Sequence, residues 1–169
     1  RQIDRLRKRR SVHLLHIGKT GGTAVKAALG EAESAPSLII HPHEISLRDI
    51  PAGDGVIFFV RDPITRFVSG FYSRKRQGRP SHDVPWTREE RRAFEQFETP
   101  DALATAIEED ADERRGEARA AMQSIEHVRS SYWDWCIDEQ YLASRWDDIL
   151  FVGQLESLND DFVALKKIL

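Results

Sequence analysis

Residues 12–29 hold the feature that most restricts this chain. An apolar segment, Val12-His13-Leu14-Leu15-His16-Ile17, runs straight into Gly18-Lys19-Thr20-Gly21-Gly22-Thr23, and Ala24 to Leu29 then reads as a helix. A strand, a glycine-rich turn and a helix N-terminus aim several backbone N–H groups at one point, which suits a phosphate or a sulfate. Lys19 adds a mobile positive charge to the same cradle. A nucleotide-triphosphate loop has the pattern G-x-x-x-x-G-K-[ST], and Gly18-Lys19-Thr20 supplies its ending. Its first glycine would then be residue 13, which is histidine, and Gly21 and Gly22 follow the lysine rather than precede it. The loop therefore departs from an ATP or GTP loop. A tight strand-to-helix turn without a ligand is the plainer alternative.

A second anion site is written into residues 56–76. Val56-Ile57-Phe58-Phe59-Val60 is wholly apolar, as expected of a buried strand in a parallel sheet. It ends at Arg61-Asp62-Pro63, where aspartate suits a helix cap and proline its first position. The helix is expected over about Pro63 to Arg76. Ile64, Phe67, Val68 and Phe71 fall at i, i+3, i+4 and i+7 and form its apolar stripe, with Arg66, Ser69 and Ser73 opposite. A strand-end arginine thus stands near a helix start with a serine hydroxyl two turns along. Two anion sites at the ends of two strands suggest a ligand carrying phosphates at both ends.

These residues carry a resemblance. His16 to Thr23 is similar to the 5′-phosphosulfate loop of sulfotransferases that use 3′-phosphoadenosine-5′-phosphosulfate (PAPS), and Arg61 to Ser69 resembles their 3′-phosphate motif. The carbohydrate sulfotransferases, especially the uronosyl and heparan 2-O type, are the most similar subgroup. Phe151-Val152-Gly153-Gln154-Leu155-Glu156, with Leu158 and Asp161-Phe162 after it, resembles a strand and helix late in that fold. The resemblance implies that Lys19, Thr20, Gly21, Gly22, Thr23 and Ala24 surround the 5′-phosphosulfate. It implies that Arg61 and Ser69 hold the 3′-phosphate. Gly18 stands where that family more often has proline.

A sugar hydroxyl is a poor nucleophile until its proton leaves, so the acceptor side needs a base. Leu38-Ile39-Ile40 reads as a strand ending at His41-Pro42-His43-Glu44. The 2-O type has a His-x-His pair at the corresponding place, which implies His43 as base with His41 as its neighbour. An unperturbed histidine pKa of about 6.5 leaves the ring ready to accept a proton at pH 7. Glu44 is a reserve candidate. Two histidines that merely close a strand are the alternative. A metal site is not expected, because no Cys-x-x-Cys or His-Glu-x-x-His spacing joins these histidines to His13 or His16. In the reaction so implied, the acceptor oxygen attacks sulfur in line, His43 takes its proton, and Lys19 with the loop N–H groups stabilises charge on the leaving phosphate.

Composition fits one α/β domain of 169 residues that is 40% hydrophobic. The expected division is a basic arm over residues 1–11 and a sulfotransferase-like domain over residues 12–169. Members of that family usually continue past the position of Leu169, which keeps open a module that binds PAPS or its product PAP without turnover. No apolar run is long enough to cross a membrane, and the single cysteine, Cys136, excludes an internal disulfide. With 19 arginines against 6 lysines, a bacterial, cytoplasmic enzyme is expected. The net charge of −3 argues against a nucleic-acid partner. Arg74, Lys75, Arg76 and Arg79 form a local basic cluster, suited either to an acidic saccharide or to a solvated helix end. Further helices are expected from Thr99-Pro100 and over about Ala118 to Ser130. Tyr132, Trp133, Trp135, Tyr141 and Trp146 read as core packing ahead of a sugar-binding face.

The fold expected is three layers, α/β/α, around a central parallel sheet, as in the P-loop nucleotide kinases. Strands fall near 12–17, 37–41, 56–60 and 149–152, with ligand beyond their carboxyl ends at the switch point of the sheet. An ATP-dependent small-molecule kinase would share that fold and use Lys19, but would need Mg²⁺.

Overall fold

Burial organises the strands. In the computed structural model, which describes residues 11–31 and 38–169, every residue from Val12 to Ile17 is buried. The expected basic arm falls outside the described residues except for Ser11. In chain order the elements are β1 (Val12–Leu14), α1 (Gly22–Glu31), β2 (Leu38–Ile40), β3 (Gly55–Val60), α2 (Pro63–Lys75), α3 (Arg88–Gln96) and α4 (Pro100–Glu108). There follow α5 (Asp112–Ser124), α6 (Glu126–Arg129), α7 (Trp133–Cys136), α8 (Glu139–Ser144), β4 (Ile149–Gln154) and α9 (Leu158–Ile168). The chain forms two compact units, one of residues up to Asp62 and from Ser131 onward, the other of Pro63–Ser130.

The first unit is built on a four-stranded parallel sheet of order β2-β1-β3-β4. Leu14 pairs with Ile40 on one side and Ile57 on the other. Side chains of β1 and β3 alternate between two covered faces, as strands buried on both sides require, while Ile39 and Ile40 of β2 and Val152 of β4 are exposed. Val12, Leu14, Ile57, Phe59 and Leu150 pack under Val25 and Leu29 of α1 and Leu165 of α9. Leu15, Ile17, Val56, Phe58 and Ile149 pack under Leu47, Ile50, Trp135 and Cys136. The three-layer α/β arrangement is therefore present. All strand ends of like sense share one edge. β1 leads to β2 on one side while β3 lies on the other, so the crossovers part between β1 and β3, the switch point where ligands of such sheets bind.

The second unit is helical, with Phe71, Phe94, Phe97, Leu103 and Ile125 at its centre. The stripe expected on α2 holds only in part: Phe71 is buried and Phe67 packs beside it, while Val68 is half-buried. Ile64 is 73% exposed, whereas Arg66, Gly70, Phe71, Ser73 and Arg74 are buried. Charge matching rotates the helix: Arg74 donates to both carboxylate oxygens of Glu90, at 2.7 and 2.5 Å, and Arg66 Nη1 donates to the Ser130 carbonyl at 2.8 Å. Gly70 permits this face, because a Cβ there would lie 2.7 Å from the His127 carbonyl oxygen. Burial opposes the charge of Glu90, yet Arg74 and the N–H groups of Thr87 and Glu126 hold its carboxyl below the ordinary range. The basic cluster is likewise engaged within the unit. Arg74 is buried, Lys75 donates to the Glu98 carbonyl, Arg76 to that of Arg79 at 2.8 Å, and Arg79 pairs with Asp83.

The helix expected from about Ala118 begins earlier, at Asp112. Acidic residues in its first turn suit the positive end of its dipole, and only Ala118 and Ala121 are buried. Of the aromatic group, Trp135 is buried and Tyr132 and Tyr141 pack beside it, whereas Trp133 and Trp146 are exposed. Among the described residues no helix is long and apolar enough to cross a membrane.

One buried arginine ties the segment before β3 into the first unit. Arg145 donates to Asp148 at 2.7 Å and to the carbonyls of Leu47, Ile50 and Pro51 at 3.2, 3.1 and 3.0 Å. Arg145→Met would strand a buried carboxylate and three carbonyls, a loss of about 3–5 kcal/mol by analogy with broken buried ion pairs. Urea unfolding of the variant against the parent measures it; a loss under about 1 kcal/mol would contradict this role.

Candidate active site

The glycine-rich loop leaves β1 at the carboxyl edge and turns on two left-handed residues, Lys19 (φ 68°) and Gly21 (φ 83°). A left-handed lysine costs about 1–3 kcal/mol locally, so the surrounding packing must hold it. That packing is close. A Cβ on Gly21 would lie 2.5 Å from Leu155 Cδ1, and one on Gly22 would lie 2.1 and 2.2 Å from Cδ2 and Nε2 of His16. The carbonyl of Gly21 accepts from the N–H groups of Ala24 and Val25 at 3.0 and 3.2 Å, which starts α1. The first N–H groups of a helix have no partner inside it, so this terminus presents donors. Thr23 and Ala24 are exposed there. Thr20 is different: it is buried, and its hydroxyl donates to the Ile17 carbonyl at 2.9 Å, so the side chain braces the loop from within.

Four histidines meet in two pairs, one of them beside this loop. His16 lies beneath Gly22, 5% exposed, and its Nδ1 has no hydrogen-bond partner among the described residues. Burial, then the neighbouring His43 and Lys26, push its pKa down to about 4. The ring of His43 lies against that of His16, centroids 3.6 Å apart. His43 Nδ1 stands 3.0 Å from the His16 carbonyl oxygen, an acceptor, so Nδ1 donates and Nε2 carries the lone pair. Trp135 Nε1 donates to the His43 carbonyl at 2.7 Å and fixes its backbone. One imidazole thus separates exposed His43 from the glycine loop. In the other pair His13 Nδ1 meets His41 Nε2 at 2.8 Å, and His13 Nε2 meets Asp54 Oδ2 at 3.2 Å. Glu44 is exposed. Among the described residues no three His, Cys, Asp or Glu side chains gather as a metal site.

Arg61 follows β3 directly, half-buried, and its backbone is held on both sides by one phenol. The N–H of Arg61 donates to Tyr132 Oη at 2.9 Å, and Tyr132 Oη donates to the Arg61 carbonyl at 2.7 Å. The N–H of Asp62 donates to Glu156 Oε1 at 3.0 Å. Glu156 is in turn placed by the end of β4, where Asp161 accepts from the Gln154 N–H at 2.7 Å and the Ser157 hydroxyl at 2.8 Å. Ser69 lies on α2 in the second unit, half-buried.

Because β1 and β3 are adjacent and parallel, the Lys19 loop and Arg61 leave the sheet at the same edge. His16, Tyr132, Glu156 and Trp135 support that edge; the sequence placed His16 in the loop motif without a role and gave the other three none there. The aromatic cluster offered a signal for two of them, since buried tyrosine and tryptophan seek a partner for their polar tips.

The model of the sulfotransferase family matches residues 53–169 of the chain. The matched segment includes Arg61, Ser69 and Glu156; the Lys19 loop and both histidine pairs' strand-end members precede it. Comparisons with curated proteins and with solved structures return no match.

The His16 environment has a consequence for stability. Its folded-state pKa of about 4 lies below that of an unfolded histidine, so the unfolded chain takes the proton first. Stability present above about pH 6.5 is therefore lost as the pH falls toward 4, by about 3 kcal/mol from this residue. Urea unfolding of the parent and of His16→Asn between pH 7 and 4 tests this. The two should converge as pH drops; parallel curves would show that His16 titrates normally.

Proposed function

The chain belongs to the sulfotransferase family, and on that premise we propose that it moves the sulfuryl group of PAPS to a hydroxyl of a carbohydrate or related acceptor, with His43 as general base. The observation that carries this reading is the shared carboxyl edge of β1 and β3, where the Lys19 loop and Arg61 supply two cationic sites. The residues suit the donor: a helix N-terminus and lysine favour a phosphosulfate, and close packing leaves glycine alone fitting at Gly21 and Gly22. When bound, PAPS supplies an activated sulfuryl group with a phosphate leaving group. Lys19 and the N–H groups of Gly22 and Thr23 would hold its 5′ end, with Ala24 exposed beside them and its own N–H given to the Gly21 carbonyl, and Arg61 would hold its 3′-phosphate. Ser69, eight residues after Arg61 in the motif, is assigned to the same phosphate by the resemblance alone.

The chain's own chemistry is then a proton transfer. His43 donates Nδ1–H to the His16 carbonyl and so offers Nε2 to the acceptor hydroxyl. His16, held unprotonated by burial, lies against it without adding a charge at neutral pH. The cations beside the loop stabilise charge where the S–O bond breaks, and losing one such donor typically costs about 3 kcal/mol, roughly a hundredfold in rate.

Calorimetric titration with PAP and with Mg·ATP tests the donor site. PAP should bind, and Lys19→Ala and Arg61→Ala should each weaken it more than tenfold, with a smaller effect from Ser69→Ala. Binding of Mg·ATP without response to PAP would replace this reading by the kinase one. His43→Ala should abolish transfer from PAPS while PAP binding stays near the parent value. Mass-spectrometric screening of uronic acid, hexosamine and small hydroxyl acceptors with PAPS identifies the acceptor class.

A further inference from the structure

The pair not used above is more than a strand ending. His13 is buried in the middle of the sheet, 4% exposed, at a register position opposite Val56 where an apolar residue would pack. Its two nitrogens are both engaged, one by His41 and one by Asp54, so three side chains form a chain from the carboxyl edge of β2 to the segment before β3. The His13 and His41 rings are parallel within 5° with centroids 5.1 Å apart, a geometry set by the 2.8 Å nitrogen–nitrogen contact rather than by face stacking.

Donor and acceptor roles follow from chemistry. A carboxylate oxygen only accepts, so His13 Nε2 donates to Asp54. With its hydrogen on Nε2, a neutral His13 accepts at Nδ1, and His41 must donate from Nε2. The lone pair of His41 is then on Nδ1. A metal would need these lone pairs to converge on one point, whereas that of His13 is taken up by the His41 N–H.

We infer that Asp54 and His13 are positioning residues that fix the tautomer of His41 and make its Nδ1 a second proton acceptor at the carboxyl edge of the sheet. A proton reaching Nδ1 of His41 forms one N–H bond there. Transfer of the hydrogen from His41 Nε2 to His13 Nδ1 breaks one N–H bond and forms another, leaving the positive charge on His13 beside the Asp54 carboxylate. His41 ends neutral, and no other reactant is consumed. The charged and titratable groups that act on His41 are His13 from β1, Lys26 from α1, Asp49 from the turn before β3 and, through His13, Asp54. Burial, His13 and Lys26 hold His41 below the ordinary imidazole range, with Asp49 opposing them, so the ring is unprotonated at neutral pH. The role in turnover rests on the sulfuryl-transfer reading; the relay itself does not.

Long-range nitrogen–proton NMR of the whole chain tests it. Both His13 and His41 should show the Nε2–H tautomer at pH 7.5. Asp54→Ala should return both to mixed tautomers. Asp54→Asn retains an oxygen acceptor, so it should keep the tautomers while lowering the His41 pKa by roughly half a unit. A hydrogen on His41 Nδ1 in the parent, or tautomers unaffected by Asp54→Ala, would overturn the relay. PAP release from PAPS across pH adds the functional arm. The acidic limb should move to lower pH in Asp54→Asn, and a fixed limb would remove His41 as an acceptor. PAP binding should stay within twofold of the parent in both variants; a parent chain that binds no PAP would fail the donor reading, leaving the NMR result to judge the relay.

Discussion

Parallel pairing of β1 with β3 is the constraint on which the rest depends. Leu14 stands opposite Ile57, and the Leu15 N–H donates to the Ile57 carbonyl at 2.9 Å. With both strands covered on both faces, their interior positions are apolar apart from His13, and the other polar groups fall at the strand ends. The neighbours β1 and β3 also send their connections apart, which opens the edge between them. The lysine loop and the arginine therefore share an edge because of strand order, not because of any direct bond between them.

At and behind this edge, hydrogen bonds orient the imidazoles and burial sets the state of His16. His16 loses its affinity for protons mainly by burial, and so packs against the His43 ring without bringing a charge to it at neutral pH. The His43 tautomer is set by one backbone carbonyl, that of His41 by a carboxylate acting through a second ring. The same two-residue spacing after β2 thus presents two rings with opposite nitrogens available. Rigid supports stand behind them: a tryptophan on the His43 backbone, a tyrosine on Arg61 and a glutamate on Asp62.

Much of this was legible along the chain. The strand, glycine loop and helix of residues 12–31 declare themselves through local pattern, as do the apolar run of β3 and the histidines after β2. The face of α2 was not legible, because Arg66 and Arg74 look solvent-facing until their partners Ser130 and Glu90 are in place. Tyr132 and Glu156 escaped for a related reason: they meet Arg61 and Asp62 across 71 and 94 residues. His13 looked like one more strand position. Only its contacts across 28 and 41 residues give its two nitrogens a direction.

Local chemistry in the chain was enough to propose where anions would bind and which residue types would meet them, because glycine, lysine and helix starts act over a few neighbouring positions. It was also enough to require a parallel sheet, since apolar runs without alternation need cover on both faces. Which helix face turns inward, which threonine turns away from solvent, and which nitrogen of each histidine holds the hydrogen depended on distant partners. Those choices are made by burial, where each polar atom must find a match among groups that only folding brings near.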